Sequence, residues 1–552
     1  MKRIYLSVCA MALSGITFGQ AFFEYTDYRG AFAPAPTAPW TDSWTNWDPQ
    51  NTVYQPSTVT VANSITTDTY WSNDQVYLLQ GQIYVKAGAV LTIQEGTVIL
   101  GDKSSVGAGL FITKGSKLNA LGTAAKPIVF TSNQPAGSRD KGDWGGLVIL
   151  GKAATNVPGG VGNIEGIAPT SDTEFGGGLS PVSTDNSGDI HYVRVEFGGY
   201  IYAPNKEING VTFGAVGSGT SVHHVQVSFS NDDSFEWFGG AVNCKYLVSF
   251  RSLDDDFDTD NGYSGNVQFG LSVRDPQIAD NPSVSSSEGF ESDNDAAGSS
   301  ATPQTSAIFS NITLVGPLRG TVGSTVATGY RRGARLRRNS AQKLYNCIFI
   351  DHLRGIHIDG LAAEQNAVNG DLKVKNCIFA GNTTNLVCET SSVSTGTPPV
   401  SSPSAFTTIR TWFGQQGNDS VVSSANILIT PYDYLTPDYR PTATSIALQN
   451  VNHDLASLTS GIIELNSFGS IELFPNPAQN EASLSISTKE TINLSIVVYN
   501  VTGKVVANVF DGVVADGNSE FKINTSEFTN GMYYVTMNSE LGVKTIKLSV
   551  SK

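Results

Sequence analysis

Between about residues 75 and 390 short runs of alternating apolar and polar residues recur along the chain. Val193, Val195 and Phe197 form one run, and Val225, Val227 and Phe229 repeat it 32 residues on. Tyr246-x-Val248-x-Phe250 and Val267-x-Phe269-x-Leu271 follow at steps of 21. Alternation with period two describes a strand with one buried face. Recurrence every 20 to 30 residues describes a solenoid. Earlier, Gly88–Ile93 is matched by Gly115–Ala120, and later strands open on Asn311, Asn346 and Asn376. A propeller blade needs about 40 residues, and no 3.6-residue period persists. The pattern predicts an all-β fold, a right-handed parallel β-helix over 75–390. About ten to thirteen coils at ~4.8 Å each would give a rod of ~50–60 Å.

An open solenoid end needs a cover. Residues 21–74 are read as an N-terminal extension and cap, with the aromatic stretch Trp40 to Tyr77 over the first coil. Residues 391–465 are read as a loop and C-terminal cap, with Pro431 to Pro441 closing the stack. The Ser/Thr/Pro stretch from Thr390 to Ser404 is a linker.

From about 470 the pattern changes to strand runs every ten residues or so, separated by Asn and Gly turns, which predicts a small β-sandwich. This segment carries Phe474-Pro475-Asn476-Pro477, Tyr499-Asn500 with Gly503-Lys504, Gly531-x-Tyr533 and a Lys-containing last strand ending at Lys552. On these residues, 470–552 resembles the type A C-terminal sorting domain of type IX secretion system cargo. The resemblance implies a partner, the type IX machinery. It also implies a route through the periplasm to the outer-membrane surface of a Gram-negative bacterium, or release. The N-terminus agrees: Lys2 and Arg3, the apolar stretch Ile4 to Phe18 and small residues at 19–21 read as a signal peptide, 1–20. Cys9 lies too early for a lipoprotein cleavage box. No segment is long enough to span a bilayer. The passenger resembles an uncharacterised group of secreted β-helix proteins through Gly96–Ile99, Pro127–Ser132 and Gly142–Leu147; that resemblance implies no activity.

Composition sharpens this picture. Of 552 residues 40% are apolar, 15% charged and 56 are Gly, which excludes a coiled coil, while 10% aromatic content supports a packed core. The net charge of −15 excludes general attraction to nucleic acid or anionic membrane and favours cations. A monomer is expected. Four cysteines follow the signal peptide: Cys244, Cys347, Cys377 and Cys388. Export permits disulfides, but three of the four lie in apolar strand runs and are read as buried thiols.

Candidate chemistry is acidic. Ser234-Phe235-Glu236 recurs 22 residues on as Asp256-Phe257-Asp258, and 33 further as Gly289-Phe290-Glu291. Stacked coils would place Glu236, Asp258 and Glu291 in one column and Asp260 and Asp293 in a second. Asp232, Asp233, Asp254 and Asp255 flank them. Carboxylates about 4.8 Å apart repel by roughly 3.5 kcal/mol at an effective dielectric near 20. Calcium, with six to eight oxygen ligands, relieves that repulsion. The core ligands would be Asp258, Asp260, Glu291 and Asp293, with Glu236; the alternative is that the acids point into water at turns. Arg331, Arg332, Arg335, Arg337 and Arg338 form either a solvated face paired with acids or a groove for an anionic glycan. β-Helix polysaccharide lyases pair calcium with an Arg or Lys base, a role open to Arg335. Glycosidases need paired carboxylates, for which Asp232, Asp233 and Asp255 are candidates. The histidines show no metal triad. Two functions stand: a secreted or surface-tethered protein that binds glycans or mediates adhesion, and an extracellular lyase or glycoside hydrolase acting on an acidic polysaccharide.

Overall fold

The computed structural model describes residues 22–203, 206–283, 285–320, 325–388, 403–452, 468–488, 491–500, 504–539 and 542–552. The signal peptide, most of the Thr390–Ser404 linker and Gly503 lie outside them. The chain forms two compact units, Thr26–Asn452 and a second built around His453–Lys552.

The first unit is a parallel β-helix with three faces. One face is a separate sheet of ten strands, running from Gln82–Val85 through Gly109–Ile112, Leu147–Leu150, Val211–Gly214, Phe235–Phe238, Phe257–Asp260, Ser287–Ser292, Tyr330–Arg337 and Arg354–Asp359 to Thr384–Cys388; we call it the third sheet. The other two faces are legs of one seventeen-stranded sheet. They are joined because, in the middle coils, one strand crosses both: Gly188–Glu196, Ser221–Ser228, Asn243–Phe250, Asn266–Val273 and Ile308–Val315. Each bends at a left-handed residue. Tyr192, His224, Tyr246, Phe269 and Asn311 have φ between 51° and 62°, and Asn346 and Asn376 continue the column. That conformation is strained for an L-residue, least so for Asn. Ring stacking offsets the cost: Tyr192 on His224 at 4.3 Å, His224 on Tyr246 at 4.3 Å and Tyr246 on Phe269 at 5.0 Å.

These corners correct the expected register. Val193 faces Val225, as the alternation implied. Val225, however, faces Leu247 rather than Tyr246, and Leu247 faces Gly270. The left-handed residue breaks the two-residue period, so alternation carried across it slips by one.

Inside the coils Val, Ile, Leu and Phe form one continuous core that includes Cys244, Cys347, Cys377 and Cys388. All four are buried and none forms a disulfide, and burial pushes the Cys244 thiol up. The second leg is also apolar on its outer side, where Phe197, Phe229, Phe250, Leu271 and Ile348 form a second cluster with Phe32, Trp44 and Tyr439. Here the structure departs from the expected caps. The N-terminal segment does not cover the first coil, which begins at Val59–Val61 and Thr69–Trp71. It runs as a strap along the outside of the second leg. The Gly30 N–H donates to Asn346 O at 2.7 Å, the Ala31 N–H to Thr313 Oγ1 at 2.8 Å and the Asn46 N–H to Gln226 Oε1 at 2.8 Å. Near its end Arg139 donates to Pro49 O at 2.7 Å. Residues 431–441 fold back onto the same cluster instead of closing the stack. The far end is closed by the helix Pro403–Gly414, whose Ile409, Trp412 and Phe413 enter the main core.

The C-terminal unit contains a three-stranded and a four-stranded antiparallel sheet around a shared core that includes Leu484, Ile496, Val535 and Leu548. The motif residues tie its chain ends. Asn476, between Pro475 and Pro477, donates to Lys547 O and accepts from the Ser549 N–H, both at 2.8 Å. The Lys504 N–H meets Asn500 Oδ1 at 3.0 Å, and the Lys552 N–H meets Asn530 Oδ1 at 2.8 Å. Tyr533, on the strand opened by Gly531, donates to Thr529 O at 2.9 Å. No helix among the described residues is long and apolar enough to cross a membrane.

Candidate functional site

The outer face of the third sheet changes chemistry along the stack. One column reads Phe111, Val148, Thr212, Glu236, Asp258, Glu291, Arg335 and His357. The expected column of Glu236, Asp258 and Glu291 is therefore present. The apolar start is sealed by insertions 151–187 and 199–209, which lay Ile164, Phe175 and Ile208 on Phe111, Val148 and Phe238. The same insertions bring Glu165 and Glu207 to the edge of the acidic stretch.

The turns leading into these strands hold a second set of acids. The Asp233 N–H donates to Asn209 Oδ1 at 3.2 Å, the Asp255 N–H to Asp233 Oδ1 at 2.8 Å, and the Glu288 N–H to Asp255 Oδ1. This ladder fixes each side chain by the backbone of the next coil. Asp254, Asp255 and Asp256 then have three different roles. Asp256 is fully buried, accepts from Ser249 and Ser272 and pairs with Arg274 at 3.2 Å. Asp255 serves the ladder and the cavity beside it. Asp254 faces that cavity alone.

The cavity is about 370 Å³. The third sheet supplies Glu236, Asp258 and Glu291, and the turns supply Asp232, Asp233, Asp254 and Asp255. Glu165 and Asp280 come from loops, and Glu207 from a short strand, Lys206–Glu207, of an insertion. No lysine or arginine lines it among the described residues. Three trios bring carboxylate oxygens within 4.8 Å of one another: Asp232–Asp233–Asp254, Asp233–Glu236–Asp258 and Asp255–Asp258–Glu291. Asp254 Oδ1 and Asp258 Oδ1 are shut off from solvent and meet no hydrogen-bond partner among the described residues.

Burial and mutual repulsion drive these groups toward the protonated form. Burial, with the fields of Glu207 and Glu165, pushes Asp232 up to about 8. Burial first and neighbouring carboxylates second push Asp233, Glu236, Asp254, Asp255 and Asp258 well up. Glu291 goes the other way. Burial acts to raise it, but Arg337 and Arg335 outweigh that and hold it below its ordinary value.

The arginine cluster lies one coil past the acids. Arg335 pairs with Asp359 at 2.8 Å and Glu291 at 3.6 Å. Arg337 pairs with Glu291 and, at 2.8 Å, with Asp293, which also takes Arg338 at 2.8 Å. Of the expected calcium ligands, the structure thus gathers Asp258, Glu291 and Glu236 in the cavity. Asp293 it places among arginines. Asp260 lies outside the cavity lining and accepts the Asn261 N–H at 2.6 Å; burial and Asp293 push it up to about 7. Asp232, Asp233 and Asp255, read as catalytic candidates, lie in the cavity, whereas Arg335 faces its ion pairs. Glu165, Glu207 and Asp280 were not legible, because they sit in insertions and loops outside the repeating step.

The pectate-lyase-like β-helix domain model matches residues 63–420. The secretion system C-terminal sorting domain model matches residues 472–551. No curated protein matches. Among solved structures, an engineered protein determined at 1.98 Å aligns at 10% identity over 45% of this chain and 55% of its own, with a TM-score of 0.13.

Proposed function

From the premise that this chain belongs to the pectate-lyase-like β-helix domain family, we propose that its passenger binds divalent cations, calcium above all, in the acidic cavity and holds acidic polysaccharide through them. The sorting domain marks the chain as type IX secretion cargo, delivered to the cell surface or beyond. Calcium is abundant in that setting.

The observation that carries the reading is the cavity itself: among the described residues it has carboxylates from three walls, no basic side chain and two shielded oxygens without a partner. Buried charge is retained where it is paired or coordinated. A hard dication with a flexible shell of six to eight oxygens suits converging carboxylates. Ligand positions left open are completed by carboxylates of a polyuronate, and the family description names such a polymer. Elimination chemistry is less well served, since the Arg335 guanidinium is already engaged by Asp359 and Glu291.

The test uses the purified protein, polyuronates and neutral glycans, with calcium or with EGTA. Binding of polyuronate that needs calcium, with a thermal midpoint that falls in EGTA, is expected. An unchanged midpoint and no calcium by elemental analysis would overturn the proposal. New reducing or unsaturated ends that vanish in Asp232→Ala would replace binding by catalysis.

A further inference from the structure

The corners of the middle coils hold a pair of nitrogen ligands far in character from the acidic cavity. On a regular strand consecutive side chains point to opposite faces. At a corner the left-handed residue breaks that rule, so it can turn its side chain toward that of the residue before it. The preceding positions stack as His191, His223, Lys245 and Gln268. The corner residues beside them are Tyr192, His224, Tyr246 and Phe269. Of these four coils, Ser221–Ser228 alone sets two imidazoles together, with His223 Nδ1 at 2.9 Å from His224 Nδ1. We infer that His223 and His224 form a chelate for one transition-metal dication, cupric ion above all. The pair shares no residue with the cavity, whose ligands are carboxylates.

The rings are held in place before any ion arrives. His224 lies face to face between Tyr192 and Tyr246, each at 4.3 Å, with Trp44 edge-on at 5.6 Å. His223 lies on His191 at 3.8 Å, and His191 Nε2 is 2.9 Å from Ser221 Oγ. Fixed ligands lose little freedom on binding. Both residues are only half-buried, so an ion and its waters can reach them. Burial first and neighbouring imidazoles second push His223 down to about 4 and His224 to about 3. Both rings are therefore neutral at pH 7, the form that ligates. One Nδ1 carries the proton of the present bond. An incoming ion shifts that proton to Nε2 of the same ring, with no net loss, and frees both Nδ1 lone pairs.

The spacing selects the metal. Nitrogens 2.9 Å apart, each about 2.0 Å from one ion, subtend about 90°. A tetrahedral ion with the same bonds would need them about 3.3 Å apart. A right angle suits square-planar or octahedral coordination, and Cu²⁺ heads the affinity order of the first-row dications for imidazole. Nor does the backbone demand histidine at this corner. Asn311, Asn346 and Asn376 hold the same left-handed place further along the stack, with less strain.

The test titrates the purified full chain with Cu²⁺ in excess calcium, which keeps carboxylates occupied, and follows the ion by electron paramagnetic resonance. One Cu²⁺ per chain, split by two nitrogens, is expected. His224→Asn installs the residue found at the corner of Asn311. His223→Gln installs the residue found in the same column at Gln268. Both variants should therefore fold, which circular dichroism checks. Each should weaken Cu²⁺ binding at least about tenfold and leave splitting from one nitrogen at most. No bound copper, a signal with oxygen ligands only, or two-nitrogen splitting that survives both substitutions would overturn the chelate. None of these results would touch the calcium reading of the cavity.

Discussion

His352 shows how a single side chain sets a pH limit on this fold. It is fully buried. Its Nε2 donates to Leu314 O at 3.3 Å, so Nδ1 accepts from the Tyr330 hydroxyl. The bond to Leu314 suits either form of the ring, whereas the bond from Tyr330 needs the neutral one. Burial pushes its pKa down to about 3, and Arg274 acts in the same direction. The folded value is thus below the unfolded value near 6.5. The stability it contributes is complete above pH 6.5 and is lost as pH falls toward 3, at about 1.4 kcal/mol per pH unit. His352→Gln should reduce the pH dependence of unfolding between pH 6 and 4 by about one proton, measured by urea titration at each pH. An unchanged slope would contradict this. At the same scale the acidic column was readable in advance, because its 22- and 33-residue steps are the true inter-coil steps. The pairing of Glu291 with arginine was not, since nothing in spacing says which neighbour a carboxylate turns to.

Among elements, the strands that turn a corner set the geometry of the middle coils. Alternation located them, and it mislaid their register only past the bend. The column of left-handed residues explains why aromatic rings and Asn recur at those positions. Rings compensate backbone strain by stacking, whereas Asn has little strain to compensate. Phe269 is 3% exposed at φ 62°. Phe269→Ala removes the end of the stack and should cost about 3 kcal/mol, read as a lowered thermal midpoint. A change within experimental error would mean the corner holds without the ring.

For the whole solenoid unit, the strap matters more than an end cap. It bonds coils as far apart as those holding Gln226 and Asn346, and it covers apolar residues on the outside of the second leg. Deleting residues 26–58 should expose that face. The truncated protein should bind a hydrophobic dye and aggregate at concentrations where the full chain stays dispersed. Equal dye binding by both would show the cover to be dispensable.

The sequence by itself determined the two-part organisation, the solenoid, the sorting module and the acidic columns. Each of these is a matter of period, and a stacked coil converts a sequence step directly into a spatial neighbour. Only the tertiary structure decided what closes the ends, which acids face one cavity and which face arginine. Those contacts join insertions, strap and loops that obey no period. Glu165, Glu207 and Asp280 reach the cavity for that reason, and Arg337 reaches Glu291 because folding sets two outward side chains of neighbouring coils on the same face.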